Sequence, residues 1–152
     1  MVITITGQEV HSMSLENCKS SRQPSPPSMQ EIQDQIHSTC DDIIHFCMQS
    51  TEATFYHIEK SLQDHISSLA CLFFQLFLMS VHNQFNYASW LEKGMYYKGE
   101  AVSRTIKTLY GEVRYWRTYL IRKDGGGFYP LDASIGLTGD GLSPLVMSLV
   151  TR

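Results

Sequence analysis

The spacing of hydrophobic residues changes along the chain from a helical period to a strand period. Two sets of apolar residues recur every three or four positions: Ile32, Ile36, Cys40, Ile43 and Cys47, and then Phe55, Ile58, Leu62, Ile66, Leu69, Phe73 and Leu76. This period predicts two amphipathic helices, near 29–49 and 54–85, that pack together as a helical hairpin. Ser28 and Glu31 have the spacing of a capping box, which predicts where the first helix begins.

Residues 104–122 show strand periodicity instead. Between Val113 and Ile121 apolar and polar side chains alternate along much of the run, which places the two sets on opposite faces of a strand. We predict a β-hairpin that turns at Tyr110-Gly111, because glycine readily adopts the positive φ of a tight turn. Phe128-Tyr129-Pro130 can return beside the second strand as a short meander. The predicted turn residues are Gly111, Gly125, Gly126, Gly127 and Pro130.

These patterns divide the chain into four segments. We expect a disordered leader at 1–28, a helical region at 29–99, a basic β-hairpin region at 100–132, and at 133–152 a linker with the start of a helix. The fold class is α+β: an N-terminal helical hairpin, then a small antiparallel hairpin or meander, and a truncated C-terminal helix. Ser143-Pro144 has the N-cap and first-position signature of that last helix. Because so short a helix is marginal alone, we expect the domain to continue beyond this sequence.

The second helix has a competing interpretation as a membrane span. No Lys, Arg, Asp or Glu occurs between Asp64 and Glu92, and residues 65–81 are apolar nearly all round. Serine, glutamine, histidine and asparagine interrupt the stretch, however, and neither end carries a basic cluster that would fix an orientation. We therefore favour a buried core helix and expect no membrane association. A small membrane-anchored protein using residues 65–81 remains an alternative.

The distribution of charge points to a polyanionic partner. The net charge is −3, but residues 92–123 carry eight Lys and Arg against three acids, whereas residues 1–91 carry three against nine. Aromatic residues are interleaved with these cations, and cations can contact phosphates while rings stack or pack. The candidate DNA-binding residues are Arg104, Lys107, Arg114, Trp116, Arg122 and Lys123. We expect Arg117, on the opposite face from Arg114, to be structural.

The sequence contains no recognisable catalytic or metal-binding motif. Asp132 and Asp140 lie in a turn-rich stretch without a partner histidine, so we interpret them as turn and capping residues. The four cysteines form no CxxC pair, and the triple glycine lacks the Lys-Ser/Thr of a phosphate loop. We expect no catalytic residue, metal or cofactor in this chain. Without a secretory signal, a cytoplasmic location with reduced thiols is the default.

Several ordered motifs resemble the N-terminal region of bacterial insertion-sequence transposases, closest to the ISKra and ISLre types. They are the run T-x-K-T-L-Y-G-E-V-x-Y-x-R-x-Y at 105–119, then Tyr129-Pro130-Leu131-Asp132, Gly136-Leu137 and Ser143-Pro144. The resemblance covers about 30–152. It implies a segment that binds the insertion-sequence ends of DNA or contacts further copies, as a homo-oligomer through the helical region.

The same resemblance implies a later RNase H-like domain whose three carboxylates bind Mg²⁺ and carry out strand cleavage and joining. No residue of this chain matches a catalytic position of that family. The chain is therefore expected to be a truncated transposase that is inactive on its own. A helical interaction module without DNA binding is the alternative from another functional class.

Overall fold

A small antiparallel sheet lies against a pair of long helices. The computed structural model describes residues 24–137 and 139–151, so most of the predicted leader lies outside the described residues. In chain order the elements are α1 Met29–Gln49, α2 Phe55–Gln84, α3 Ala88–Leu91, β1 Tyr96–Thr108, β2 Gly111–Arg122, β3 Gly127–Phe128, α4 Pro130–Ser134 and α5 Pro144–Val150. The strand order is β1-β2-β3 with antiparallel neighbours. The predicted α+β fold is confirmed.

The start of α1 is fixed by its capping box. The backbone N–H of Ser28 donates to the Glu31 carboxylate at 2.6 Å, and the backbone N–H of Glu31 donates to the Ser28 hydroxyl at 3.1 Å. This exchange satisfies amide groups that the first helical turn leaves without helical partners. Ile32 and Ile36 are the buried residues of the helix and pack against Met79 and Trp116. The N-terminal half of α1 is thus the part that anchors the helical hairpin to the sheet.

Helix α2 is far less buried than its composition predicts. Only Leu78 and Met79 are fully buried, while Leu69, Leu72 and Leu76 pack against the core at partial exposure. Three residues of the predicted seam are instead exposed, namely Phe55 at 80%, Ile66 at 47% and Phe73 at 51%. A helix of 30 residues is about 45 Å long, which is longer than the small sheet can cover. The expectation of a buried core helix is therefore wrong for much of α2.

Helix α2 is long and apolar enough to cross a membrane. Its most apolar stretch of 18 residues has a mean hydropathy of 1.5, and 11% of that stretch is buried. Core helices of soluble proteins meet the same criterion, so this property alone distinguishes neither location.

Strand β1 begins earlier than the sequence pattern predicts. It starts at Tyr96, and its pairing with β2 shifts register between Lys98 and Ala101. Such an irregularity interrupts the alternation of side chains, which explains why residues before Arg104 do not read as strand. A Cβ atom on Gly99 would lie 3.0 Å from the carbonyl oxygen of Tyr119. This glycine therefore marks a close approach of two strands, and the predicted boundary at 99/100 falls inside β1.

The hairpin turn is displaced by one residue from its predicted position. Thr108 pairs with Gly111, so the two loop residues are Leu109 and Tyr110. Gly111 has a φ of +139°, and the Thr108 hydroxyl donates to its carbonyl oxygen at 2.8 Å. The threonine hydroxyl also accepts from the backbone N–H of Tyr110 at 3.2 Å. A side-chain bridge of this kind stabilises a turn whose loop residues have no positive φ.

Two of the predicted turn residues have other roles. Gly125 and Gly126 have positive φ and form the turn after β2, whereas Gly127 lies within β3 and pairs with Ile121. Pro130 is the first residue of α4. Proline is favoured at a first helical position because its missing N–H would have no helical partner there.

Candidate functional site

Asp132 is the centre of a buried polar cluster. Its Oδ2 accepts from Nη1 of Arg104 at 2.8 Å and from Nη1 of Arg117, and its Oδ1 accepts from the Tyr115 hydroxyl at 2.5 Å. Only 6% of the residue is exposed. The expectation that Asp132 is a turn or capping residue is therefore wrong. Its partners lie 15 to 28 residues away in sequence, so local spacing gives no signal of the contact.

Sheet register brings the partners of Asp132 together. Arg104 of β1 stands opposite Tyr115 of β2, and Val102 stands opposite Arg117. Directly paired residues share a face, and residues two apart on one strand do too, so all three polar partners project from one side of the sheet. Helix α4 contacts β2, which places Asp132 against that side.

An aromatic ring completes the cluster. The Arg117 guanidinium carbon lies 3.5 Å from the centre of the Tyr129 ring, and this ring lies 4.9 Å from that of Tyr119. A guanidinium stacked on a ring retains its in-plane N–H donors. We call Arg104, Tyr115, Arg117, Tyr129 and Asp132 the Asp132 cluster. A cleft of about 420 Å³ opens beside it. Four members of the cluster line this cleft, all except Tyr115, together with Phe128, Ala133, Leu137 and Gly139.

Burial determines the protonation of the cluster. It raises the pKa of Tyr115, with Arg104 acting in the opposite direction, so the phenol remains a neutral hydrogen-bond donor at neutral pH. Burial also lowers the pKa of Arg117, and among the neighbouring charges Arg104 acts in the same direction. Arginine stays protonated under all ordinary conditions. The cluster consequently holds two guanidinium cations against one carboxylate.

Two predicted DNA-binding residues lie inside the molecule. Arg104 belongs to the Asp132 cluster, with 11% of its side chain exposed. Trp116 is 4% exposed and packs against Ile32, Ile36 and Met79. A DNA duplex cannot contact side chains that are buried to this extent. We therefore remove both residues from the candidate DNA interface. Four of the six predicted DNA-binding residues remain as candidates: Lys107, Arg114, Arg122 and Lys123.

The remaining candidates are exposed but divided into two patches. Arg114 and Arg122 share one face of β2, and Trp116 between them is covered by the helical hairpin. They are eight residues apart, or about 26 Å along an extended strand. Lys107 lies near Arg114 across the hairpin, and Lys123 follows Arg122. We call Lys107 with Arg114 the tip patch, and Arg122 with Lys123 the rim patch.

Each patch has local charge partners. Lys107 stands opposite Glu112, and Arg122 forms an exposed 3.2 Å ion pair with Asp124. The ammonium group of Lys123 lies 5.4 Å from the centre of the Tyr97 ring. Exposed pairs of this kind stabilise little and are readily exchanged for phosphate contacts. The patches are therefore accessible cationic surfaces of modest local excess charge.

Two further exposed lysines were missed as candidates. Lys93 lies 4.4 Å from the centre of the Trp90 ring, and Lys98 lies 5.3 Å from that of Tyr87. Both lysines precede residues 104–122, the stretch whose alternating pattern predicts the hairpin. The early start of β1 brings Lys98 beside Leu120 and adds it to the basic sheet.

Among the described residues, His, Cys, Asp and Glu form no group of three or more that could hold a metal ion. Asp140 is exposed, and the oxygens of Asp132 already accept hydrogen bonds from Arg104, Arg117 and Tyr115. Comparison of the chain with protein-family models, with curated proteins and with solved structures finds no significant match.

Proposed function

We propose that this chain is a non-catalytic, DNA-contacting segment of an insertion-sequence transposase. The observation that carries the proposal is the exposure of four cations in the tip and rim patches, at opposite ends of the strand β2. Because one strand connects the two patches, both can contact phosphates of the same DNA duplex. Phosphate contacts position a protein on DNA without recognising the base sequence. The transposase parentage is supported by the ordered motifs of residues 105–144.

The fold gives those motifs a physical meaning. Tyr115, Arg117 and Asp132, which belong to the resemblance, meet in the Asp132 cluster, and Gly111 follows the hairpin loop. The motif residues therefore specify how the hairpin and α4 are held together. The exposed cations of the tip and rim patches supply the proposed contact with DNA.

Salt dependence tests the DNA contact. Binding of wild type and the double variant Arg114→Ala, Arg122→Ala to a duplex should be measured at several salt concentrations. The variant removes one cation from each patch, so it should bind all sequences more weakly. It should also lower the slope of log affinity against log salt by about two contacts at roughly 0.9 per phosphate.

Lys60→Ala is the matched control, because Lys60 is an exposed cation on α2 that belongs to neither patch. It should leave the slope unchanged. Identical slopes for wild type and the double variant would show that the two patches do not contact DNA.

A second candidate function is self-association through α2. Phe55, Ile66, Phe73 and Phe77 recur at helical spacing along one face, and each is 47–80% exposed. Large exposed apolar stripes commonly mark protein interfaces. A second copy of this chain offers the same stripe in return, as a two-fold interface requires.

Sedimentation of wild type and of Phe73→Gln, Phe77→Gln tests this candidate. Wild type should dimerise with rising concentration, and the variant should stay monomeric because polar side chains remove the apolar contact. A wild type that remains monomeric without detergent at all concentrations would refute self-association.

A further inference from the structure

The end of the sheet at the rim patch exposes apolar side chains next to cations. Met95, Tyr97 and Ile121 are 59%, 57% and 42% exposed, and Tyr97 stands opposite Ile121 in the pairing of β1 with β2. Directly paired residues project from the same face of a sheet, so Tyr97 and Ile121 form adjacent apolar surface. The two cations of the rim patch, Arg122 and Lys123, follow Ile121 and are exposed as well.

The charge at this end of the sheet is positive. Residues 92–98 and 120–124 carry four Lys and Arg against two acids. The cations are Lys93, Lys98, Arg122 and Lys123, and all four are exposed. Asp124 is paired with Arg122 in an exposed contact of 3.2 Å, and contacts of this kind are weak. The surface therefore complements an anionic ligand.

Tyr97 is the aromatic ring that this surface leaves accessible. Trp90, Tyr96 and Phe128 pack against one another, with 5.4 to 5.9 Å between ring centres. Within the described part of the chain Tyr97 belongs to no such aromatic group, and the Lys123 ammonium lies 5.4 Å from its ring centre. Because an exposed lysine is flexible, Lys123 can contact an anion while a flat ligand covers the tyrosine ring.

A small cleft adjoins the ring and contains both cations of the rim patch. It has a volume of about 160 Å³ and is lined by Gly94, Met95, Tyr96, Arg122, Lys123 and Asp124. The backbone N–H of Lys123 donates to the Met95 carbonyl oxygen at 3.0 Å, which joins two of its walls. The volume is below the range of about 300–1,000 Å³ that is typical of small-molecule sites. The cleft thus suits one anionic group of a larger ligand whose remainder lies on the neighbouring surface.

We propose that this end of the sheet binds single-stranded DNA, with a base stacked on Tyr97 and a neighbouring phosphate held by Arg122 and Lys123. Unpaired nucleotides present flat apolar faces together with anionic groups, whereas the bases of a duplex stack on one another. Proteins that bind single strands combine a cationic surface with aromatic rings on which bases stack. The inference rests on the proposed DNA contact of the rim patch and specifies the class of DNA that this patch binds.

An abasic oligonucleotide separates base stacking from phosphate contact. It carries the same phosphates as an oligothymidylate of equal length but has no bases. Wild type should bind the fluorescently labelled oligothymidylate about fivefold or more tightly than the abasic strand at the same salt concentration, as expected for one base on an aromatic ring. Equal affinity of wild type for the two strands would overturn the proposal, whatever the behaviour of any variant.

Replacement of the ring tests Tyr97 itself. Tyr97→Leu keeps an apolar side chain but no ring, so it should bind the two strands equally. Tyr97→Phe should retain the wild-type preference for the strand with bases, because only the hydroxyl is removed. Tyr56→Leu is the matched control, since Tyr56 is 67% exposed on α2 and lies outside the rim surface, and it should also retain the preference. An unchanged preference in Tyr97→Leu would assign base contact to another surface and overturn the proposal.

Duplex DNA distinguishes this proposal from the proposed function. Tyr97→Leu should leave duplex affinity and its salt slope unchanged, because paired bases do not offer a face to the ring. If wild type shows no preference for bases but binds duplex with the expected loss of slope in Arg114→Ala, Arg122→Ala, only the single-strand proposal fails. If wild type binds neither strand nor duplex, both proposals fail.

Discussion

At the scale of single residues, the fold depends on contacts that join distant parts of the sequence. Asp132 accepts from Arg104 and Tyr115 on two different strands. The sequence predicts the alternation of those strands and the structural role of Arg117. It does not predict that the carboxylate meets these partners, because that contact depends on strand register and on the placement of α4. Register emerges only from the packing of the complete sheet.

At Gly127 neighbouring atoms leave no room for a side chain, so glycine is required there for steric reasons and not for its backbone conformation. A Cβ atom there would lie 2.2 Å from the Leu120 carbonyl oxygen and 2.7 Å from the Tyr119 ring, whereas one on Gly139 would meet no atom within 4 Å. We expect Gly127→Ala to lower the free energy of unfolding by about 1–3 kcal/mol or more, as overpacking does. Gly139→Ala should change it by less than about 0.5 kcal/mol.

Urea unfolding of wild type and both variants checks this expectation. Equal midpoints for the two glycine variants would mean that β3 can move away from β2 at little cost. A lower urea midpoint for Gly127→Ala than for Gly139→Ala would show that β3 is tightly packed against β2, although β3 contains only two residues.

At the scale of elements, the sequence predicts where a helix begins and ends better than it predicts which face of the helix is buried. The capping box locates the start of α1, and the period of apolar residues locates α2 to within one residue at each end. The face that α2 buries is not predictable from the same period. Its apolar residues nearly surround the helix, so the position and small size of the sheet decide which ones are covered.

The C-terminal end of α2 should respond to acid through His82. Burial, and secondarily Lys98, lowers the pKa of this histidine below its usual 6.5. The unfolded chain therefore binds a proton at a higher pH than the folded chain does. The resulting stabilisation is complete above pH 6.5 and is lost as pH falls through the lowered folded pKa. We expect the free energy of unfolding of wild type to decrease between about pH 7 and pH 5.

His82→Gln should reduce this decrease, because glutamine does not titrate. His37→Gln, at an exposed position on α1, is the control and should preserve the wild-type profile more closely. Chemical unfolding at a series of pH values measures both. A His82→Gln profile as steep as that of wild type would assign the acid sensitivity to other groups.

At the scale of the whole molecule, the basic hairpin is a structural centre as well as a surface. Helices α1 and α2 cover its Trp116 side, and α4 contacts β2 through the Asp132 cluster. Charge and aromatic content predicted that Arg104 and Trp116 contact DNA, because composition does not reveal which face of a hairpin another element will cover. Along β2 itself, the accessible cation positions Arg114 and Arg122 lie toward its two ends. The DNA contact that we propose is therefore at two separated patches and not along the whole hairpin.

We expect the isolated chain neither to cleave nor to join DNA when Mg²⁺ or Mn²⁺ is supplied. Two-metal phosphoryl transfer requires several oxygen ligands that converge on the ions. The carboxylate of Asp132 already accepts from two arginines and a tyrosine, which makes it a poor ligand for a cation. Incubation of purified protein with supercoiled and linear DNA measures the activity. Metal-dependent nicking that Asp132→Asn or Asp140→Asn abolishes would contradict this expectation.

The contact between Trp116 and Pro24 gives the molecule a built-in optical reporter. The indole N–H donates to the Pro24 carbonyl oxygen at 3.3 Å across 92 residues of sequence, and the ring lies under α1. Trp90, the other indole, sits in a partly open aromatic group with Tyr96 and Phe128. In a Trp90→Phe background, tryptophan emission would therefore report the docking of α1 on the sheet. This docking brings together residues that are far apart in the sequence. The rate of change of the emission would therefore distinguish assembly of the complete fold from local helix formation.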